Sequence, residues 1–599
     1  MRSFAVKAAT LHSPARQRRR HLARASAAVL VALAATAALQ EPASATLPGT
    51  DPQLTRAPYL TDLGTARVQV NWATSTQSRG IVKYGPIGNC TANTVQSATL
   101  GSPTTINGVR EYTNSVAVTG LAADTQYCYR VYTGGTPQTD LLGTNPSPAF
   151  TTLQAAGGAA PVTFAAFGDW GDTTNHGVND GSVNEGQADL DQVLANSGVR
   201  FAVTTGDVAY PGGTPTNYGD VNQTGVNISA VFGPQYWAVP GQRIPYFSIN
   251  GNHGRNQTLL TTWPESAVAA ASGGKYQMED YSSFLGSTPA SYPSTWYAFS
   301  TGNVRMYMLD ASWSDTNTGS ATGGACGSRC ALYEVDHAAH WTTSSPEYQW
   351  LAQDLAAHPG GIKIAAFHFP LRSDDSTEPD DPYLKYTPGS SGTLEQLLHD
   401  NGVNLVLNGH AHIYQRNIAP PGGVISYVTG GGGAKPSGLG GAGCSSTDAY
   451  AISWSYSSNR GRACGAASPP SSDLQVFHFL KITVNGSVVT VAPTNSQGQV
   501  FDQQTYDFGA DGTAPSQPLA VTATRMPGQN IWVHWISSSD NKRVAAYDVY
   551  RNGTYLTSVP AGTNSYSDAG TLCRRGTTYR VVARDLAGNT AGSTTQAMC

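Results

Sequence analysis

Eight side chains able to bind a metal or handle a proton stand just past the ends of apolar runs. "VTFAAFGDWG" delivers Asp169, and "RFAVTTGDVAY" delivers Asp207 with Tyr210 three residues on. "PYFSINGNHG" delivers Asn252 and His253, "KIAAFHF" delivers His368, and "VNLVLNGHAH" delivers His410 and His412. Each offers a hard oxygen or an imidazole nitrogen, the donor types that divalent and trivalent metal ions select. Taken singly they have bland accounts: a Gly-Asp pair is a common turn, Asn252 a turn cap, His368 a satisfied core histidine. Five strand ends carrying such residues together is a different matter. Open α/β sheets place their sites at the carboxyl ends of strands, so these donors should meet there.

The elements that must deliver them are legible in outline. The runs are nearly continuous hydrophobic stretches, as expected of strands covered on both faces. Helical patterns lie between several of them, in "EGQADLDQVLANSG", "SPEYQWLAQDLAAH" and "GTLEQLLHDNG". Residues 160–509 therefore read as a central α/β domain, layered sheet and helix with a largely parallel sheet. "QVFHFLKITVNGSVVTVAPT" reads as a hairpin turning at Asn485-Gly486. Gly/Ser/Thr-rich insertions near 211–243, 254–296, 311–345 and 434–472 exceed ordinary loop lengths and are expected to wall the site.

On either side the pattern changes to short alternating strands. Residues 52–153 ("ARVQVNWAT", "GIVKYG", "NSVAVTGL", "QYCYRVYT") and 514–599 ("NIWVHWISSSDN", "AAYDVYRNG", "TTYRVVARDLAGN") each read as an all-β sandwich. Residues 1–45 read as a secretory signal, with arginines ahead of the apolar stretch Ala25–Leu39 and Ala43-Ser44-Ala45 for cleavage. No later stretch is long and apolar enough for a membrane span. Seven of the 35 basic residues and one of the 39 acidic ones fall in that segment, leaving 28 against 38. Such an acidic balance argues against a nucleic-acid or anionic-membrane binder. All eight cysteines follow the signal, as suits an oxidising, extracellular setting. Local pairs are expected: Cys90 with Cys128, Cys326 with Cys330, Cys444 with Cys464, Cys573 with Cys599.

The ordered donor set resembles the metallophosphoesterase superfamily and, within it, the purple acid phosphatases. "GDVAY", with its tyrosine, and "GHAHIYQR" carry the resemblance, and "RAPYLTDLGTARVQVNWAT" is similar to the family's N-terminal fibronectin-like module. Residues 514–599 resemble the fibronectin type III modules of secreted bacterial enzymes. The family pattern implies that Asp169, Tyr210 and His412 hold one metal, usually Fe(III). Asn252, His368 and His410 would hold the second, Fe(II), Zn(II) or Mn(II), with Asp207 bridging. A phenolate survives at acid pH only where a strong Lewis acid displaces its proton, which favours Fe(III) beside Tyr210. The implied activity is a secreted acid phosphatase that hydrolyses small phosphomonoesters with hydroxide generated on the metals, His253 assisting the phosphate or leaving group.

The chain departs from the plant-type pattern in having Gly254 after Asn252-His253 and "LRSDDSTEPDD" where that pattern has adjacent histidines. Arg372 in this loop, and His337 and His340 in "DHAAHW", are candidates for a substrate shell. The acidic loop leaves open a phosphodiesterase or phospholipase-type activity on the same metals. A non-catalytic surface-binding protein is the rival from another class, and all seven ligand positions being intact argues against it. Weak polysaccharide or surface contact through the C-terminal module is a further expectation, although Trp532 and Trp535 fit a sandwich core equally well.

Overall fold

The structure is a computed structural model. It describes residues 47–599 other than 107, 173–183, 211–214, 220, 222–230, 250, 254–266, 270–275, 279–295, 312–340, 378–383, 388–389, 441–443, 527–529, 570–573 and 599. The signal segment, His337, His340, Glu378, Cys326, Cys330, Cys573 and Cys599 lie outside the described residues.

The site-bearing runs form two sheets laid face to face. In sheet I the spatial order is Tyr246–Phe247, Ala202–Thr204, Val162–Phe167, His478–Asn485, Val488–Asn495 and Gln504–Asp507. In sheet II it is Tyr297–Thr301, Val304–Met308, Ile362–Ala366, Leu405–Asn408, Ile425–Thr429, Tyr414–Asn417, Asp448–Ser455 and Arg460–Gly465. Side chains alternate across a strand, and that alternation builds the layers. Phe164, Ala166, Val203 and Phe247 of sheet I meet Met306, Met308, Ile364, Ala366, Leu405 and Leu407 of sheet II in one buried core. The intervening residues face outward onto helices. Ala165, Phe167, Ala202 and Tyr246 pack with Leu190 and Leu194 of helix Glu185–Ala195. Tyr307, Ala365 and Val406 pack with Leu351 and Leu355 of helix Pro346–Ala357 and with Leu394 and Leu398 of helix Leu394–Asp400. Both faces of each sheet are covered here, which is why the runs look continuously apolar.

These three helices fall on the expected stretches, and two are capped by side chains. Asn184 accepts from Gln187 N, and Thr393 accepts from Gln396 N. The expectation of a largely parallel sheet needs correction. Among the described strands of the two sheets, those carrying candidate donors, with Val304–Met308 and Ile425–Thr429, pair in parallel; the hairpin His478–Asn485/Val488–Asn495, the edge strand Tyr297–Thr301 and the far end of sheet II are antiparallel. The 434–472 segment also differs from expectation. Instead of a long loop it folds into a hairpin, Asp448–Ser455 with Arg460–Gly465, that lengthens sheet II and is stapled by Cys444–Cys464.

The strands from Leu54–Thr61 to Ala149–Thr151 form a sandwich of two four-stranded sheets, tied within by Cys90–Cys128. It abuts the central layers through Tyr129 Oη donating to Gln242 O at 2.9 Å and the Arg200–Asp124 ion pair. The C-terminal sandwich has sheets of three and four strands. In its strand Ile531–Ile536, Trp535 is buried in the core while Trp532 is 45% exposed. No helix among the described residues is long and apolar enough to cross a membrane.

Candidate metal centre

The donor-bearing strands end in tight turns that interlock. Asp169, Asp207 and His410 adopt positive φ (57°, 51° and 68°), a left-handed conformation that costs a non-glycine residue free energy unless its surroundings fix it. They do so here. Asp169 N donates to Gly206 O at 3.0 Å, Trp170 N donates to Asp207 O at 2.9 Å, and His410 N donates to the Asp169 carboxylate at 2.9 Å. Gly409 has to be glycine: a Cβ there would stand 2.5 Å from Asp169 Oδ2. At Gly251 a Cβ would run into the Asp207 carboxylate.

The structure brings seven of the predicted side chains into two adjoining groups. In one, Tyr210 Oη lies 3.2 Å from Asp169 Oδ1, 2.9 Å from Asp207 Oδ2 and 3.0 Å from His412 Nε2. In the other, Asn252 Oδ1 lies 2.7 Å from His368 Nε2 and 3.1 Å from His410 Nδ1. The groups meet at a single atom, because His368 Nε2 is 3.4 Å from the same Asp207 Oδ2 that faces Tyr210. Asp169, Asp207, Asn252, His368 and His410 are buried, while the His412 side chain is 22% exposed and gives the groups an open side. The eighth residue, His253, stands at that side. Its backbone N donates to Asp207 Oδ1 at 2.9 Å, and its ring centre is 4.5 Å from that of Tyr210.

This is a cation-seeking cluster. Burial and the charges of Asp207 and Asp169 push the Tyr210 phenol well above its usual pKa. Burial opposes charging His368 and His412, but the carboxylates of Asp207 and Asp169 respectively outweigh it and raise each to about 9. Burial would raise Asp207, and the imidazoles of His368 and His253 hold it below its usual range instead. Positive charge, whether protons or metal ions, is what these oxygens and nitrogens require.

The imidazoles are oriented from behind by groups with no sequence signal. His368 Nδ1 meets Thr205 O at 2.7 Å and His412 Nδ1 meets Lys435 O at 2.8 Å. Both acceptors are backbone carbonyls, available on any residue, so no side-chain motif could have found them. Arg372 does not join the site. Its two terminal nitrogens bind Glu395 Oε1 and Oε2, each at 2.8 Å, and the pair is buried. The expected substrate contact is thus corrected to an internal ion pair.

Two family models match the chain. "Purple acid Phosphatase, N-terminal domain" covers residues 58–152, and "Calcineurin-like phosphoesterase" covers residues 162–414. Among curated proteins, an alpha-amylase of Niallia circulans is 37% identical over 82 residues, which is 14% of this chain and 6% of that protein. Chitinase A1 of the same organism is 35% identical over 85 residues, 14% of this chain and 12% of that protein. The chain thus spans only a small part of the curated relatives it matches. Among solved structures, a purple acid phosphatase from yellow lupin (Lupinus luteus) seeds shares 18% identity with a TM-score of 0.48, over 75% of this chain and 74% of that chain. The family implies a dinuclear metal centre, and two donor groups joined at one carboxylate oxygen fit it. The first of these models runs almost directly into the second, and the donors stand at the strand ends of the second; residues 58–152 carry a purple acid phosphatase N-terminal domain and residues 162–414 a calcineurin-like phosphoesterase domain.

Proposed function

We propose that this protein is an exported acid phosphatase that hydrolyses phosphomonoesters on a binuclear centre. Fe(III) is assigned to Asp169, Tyr210 and His412, and Fe(II), Zn(II) or Mn(II) to Asn252, His368 and His410, with Asp207 shared. The observation that carries the reading is the position of Asp207 Oδ2, within 3.4 Å of donors from both groups. When bound, such an ion pair supplies Lewis acidity, a nucleophile at low pH and charge neutralisation for phosphoryl transfer.

The chain's own residues do the rest. Thr205 O and Lys435 O fix the tautomers of His368 and His412 so that Nε2 of each faces the site. Asp207 Oδ1, held by the His253 amide, keeps its second oxygen turned toward both groups. His253 stands at the open side, where its ring can donate to a phosphate oxygen or to the departing alkoxide. The P–O bond to the alcohol breaks, water supplies the new P–O bond, and the alcohol leaves with a proton.

Export is supported by the arginine-led apolar segment of residues 1–45 and by the two disulfides. Exposed Trp532 is the aromatic that the C-terminal sandwich would offer to a polysaccharide. Retention of the full chain on insoluble polysaccharide, lost in Trp532→Ala, tests that contact. The main test is kcat/KM of metal-replete protein on nitrophenyl phosphate and on bis-nitrophenyl phosphate, from acid to neutral pH. Acid-side preference for the monoester is expected. A diester preference would reassign the substrate class, and activity that survives complete chelation would refute the metal centre.

A further inference from the structure

Beside the proposed centre the surface dips into a groove of about 630 Å³, lined among others by Lys435, Arg460, Arg462 and Tyr456. Its wall is tied directly to the donors. His412 Nδ1 meets Lys435 O at 2.8 Å, and Ser437 N donates to His412 O at 3.1 Å. Ser437 Oγ then donates to Asp375, which fastens this segment to the loop that follows His368. Arg460 and Arg462 stand two apart on the strand Arg460–Gly465, so both point to the same face of the sheet.

The three cations have contacts other than carboxylates. Lys435 Nζ lies 5.1 Å from the centre of the Tyr456 ring, and Arg462 donates to the carbonyl of Leu439 at 2.9 Å. Among the described residues, no carboxylate is within ion-pair distance of Lys435, Arg460 or Arg462. Several arginines elsewhere are matched by carboxylates: Arg372 by Glu395, Arg416 by Asp502 and Arg584 by Asp548. In a chain that is acidic beyond its first 45 residues, three uncompensated cations around one hollow run against the general balance. Ser376, Ser437 and Ser455 also line the groove.

We infer that this groove receives a second phosphate, carried on the leaving group, so that the preferred substrates are organic molecules bearing at least two phosphates. Guanidinium and ammonium groups suit phosphate oxygens in charge and in geometry. A scissile phosphate at the donors would project its leaving group past His412, the open side of the centre, toward the wall that Lys435 begins. The inference rests on the phosphoesterase reading above and narrows its substrate class.

The test compares kcat/KM on a sugar bisphosphate with that on the sugar monophosphate having the same scissile ester, using full-length metal-replete protein and measuring released phosphate. The bisphosphate gains at most about twofold by offering two esters, so a preference of about tenfold or more at low salt is expected, shrinking as ionic strength rises. In Arg460→Gln/Arg462→Gln the preference should fall to the statistical twofold, while Arg460→Lys/Arg462→Lys should keep most of it. A bisphosphate-to-monophosphate ratio that is the same in wild type and the glutamine variant overturns the inference while leaving the phosphoesterase reading standing. Absence of hydrolysis of either compound, and of nitrophenyl phosphate, would refute that reading and this inference with it.

Discussion

Arg372→Ala separates an internal ion pair from a substrate contact. Glu395 is fully buried and accepts four hydrogen bonds: two from Arg372, one from Tyr386 N at 2.6 Å and one from Val424 N at 2.9 Å. Alanine would leave this carboxylate with two backbone donors and no countercharge, away from water. Breaking a buried pair in this way costs about 3–5 kcal/mol, a large share of the roughly 5–15 kcal/mol that holds a domain together. The pair also joins the loop after His368 to helix Leu394–Asp400, so the loss should be felt in the global transition. Urea unfolding followed by tryptophan fluorescence would show the midpoint falling with little change in slope. Glu395→Gln in the same background removes the orphaned charge and should recover about 1 kcal/mol or more. The single variant should retain kcat/KM wherever it remains folded. If the midpoint stays put while KM for a phosphomonoester rises tenfold, Arg372 binds phosphate and the argument fails.

Three other perturbations test the centre and its surroundings. Tyr210→Phe should remove any visible phenolate-to-iron charge-transfer band while far-UV circular dichroism is retained, and a persisting band would mean that another residue is the ligand. Asp207→Ala should take metal content by elemental analysis from two ions per chain toward none, because its Oδ2 faces both donor groups; a variant still holding two ions refutes the bridge. His478 is buried with Nδ1 on Val476 O, and burial lowers its pKa from 6.5 to about 4, partly opposed by that carbonyl and by Asp169. As pH falls through 6.5 the unfolded chain takes up the proton first, so this stability is complete above pH 6.5 and is lost progressively down to about pH 4. The loss amounts to about 3 kcal/mol. His478→Phe should flatten the fall in denaturation midpoint across that window, and an equal slope in both proteins would show that another group governs acid lability.

The clustering of these side chains was legible because they stand within a few residues of the end of an apolar run, where chain direction alone puts them at a strand's carboxyl end. Asn485-Gly486 likewise announced its hairpin, observed with Asn485 opposite Val488 and Gly486 at φ 60°. What stayed hidden depends on distance or on backbone. Val162–Phe167 pairs with His478–Asn485 across more than 300 residues, and nothing local in either strand indicates an antiparallel partner. The Gly/Ser-rich composition of 434–472 suggested loop, yet Tyr450, Ile452 and Trp454 alternate well enough to extend a sheet. Arg372 looked available in sequence, because its counterion lies 23 residues away on a helix whose acidic residue reads as surface. Thr205 and Lys435 act through carbonyls, and no reading of side chains could single them out.

Each donor group draws on both sheets: Asp169, Tyr210 and Asn252 follow strands of sheet I, while His368, His410 and His412 follow strands of sheet II. Ions bound there would therefore act as a clasp at one end of the β-sandwich, pinning two layers otherwise held together by apolar contact. Catalytic readiness and the mechanical closure of the domain then become one equilibrium, and stripping the metals should let that end of the sandwich gape. The first amides to exchange with solvent would be those of the interlocked turns, Gly168–Trp170 and Gly206–Val208, while the far ends of the same strands stay shut.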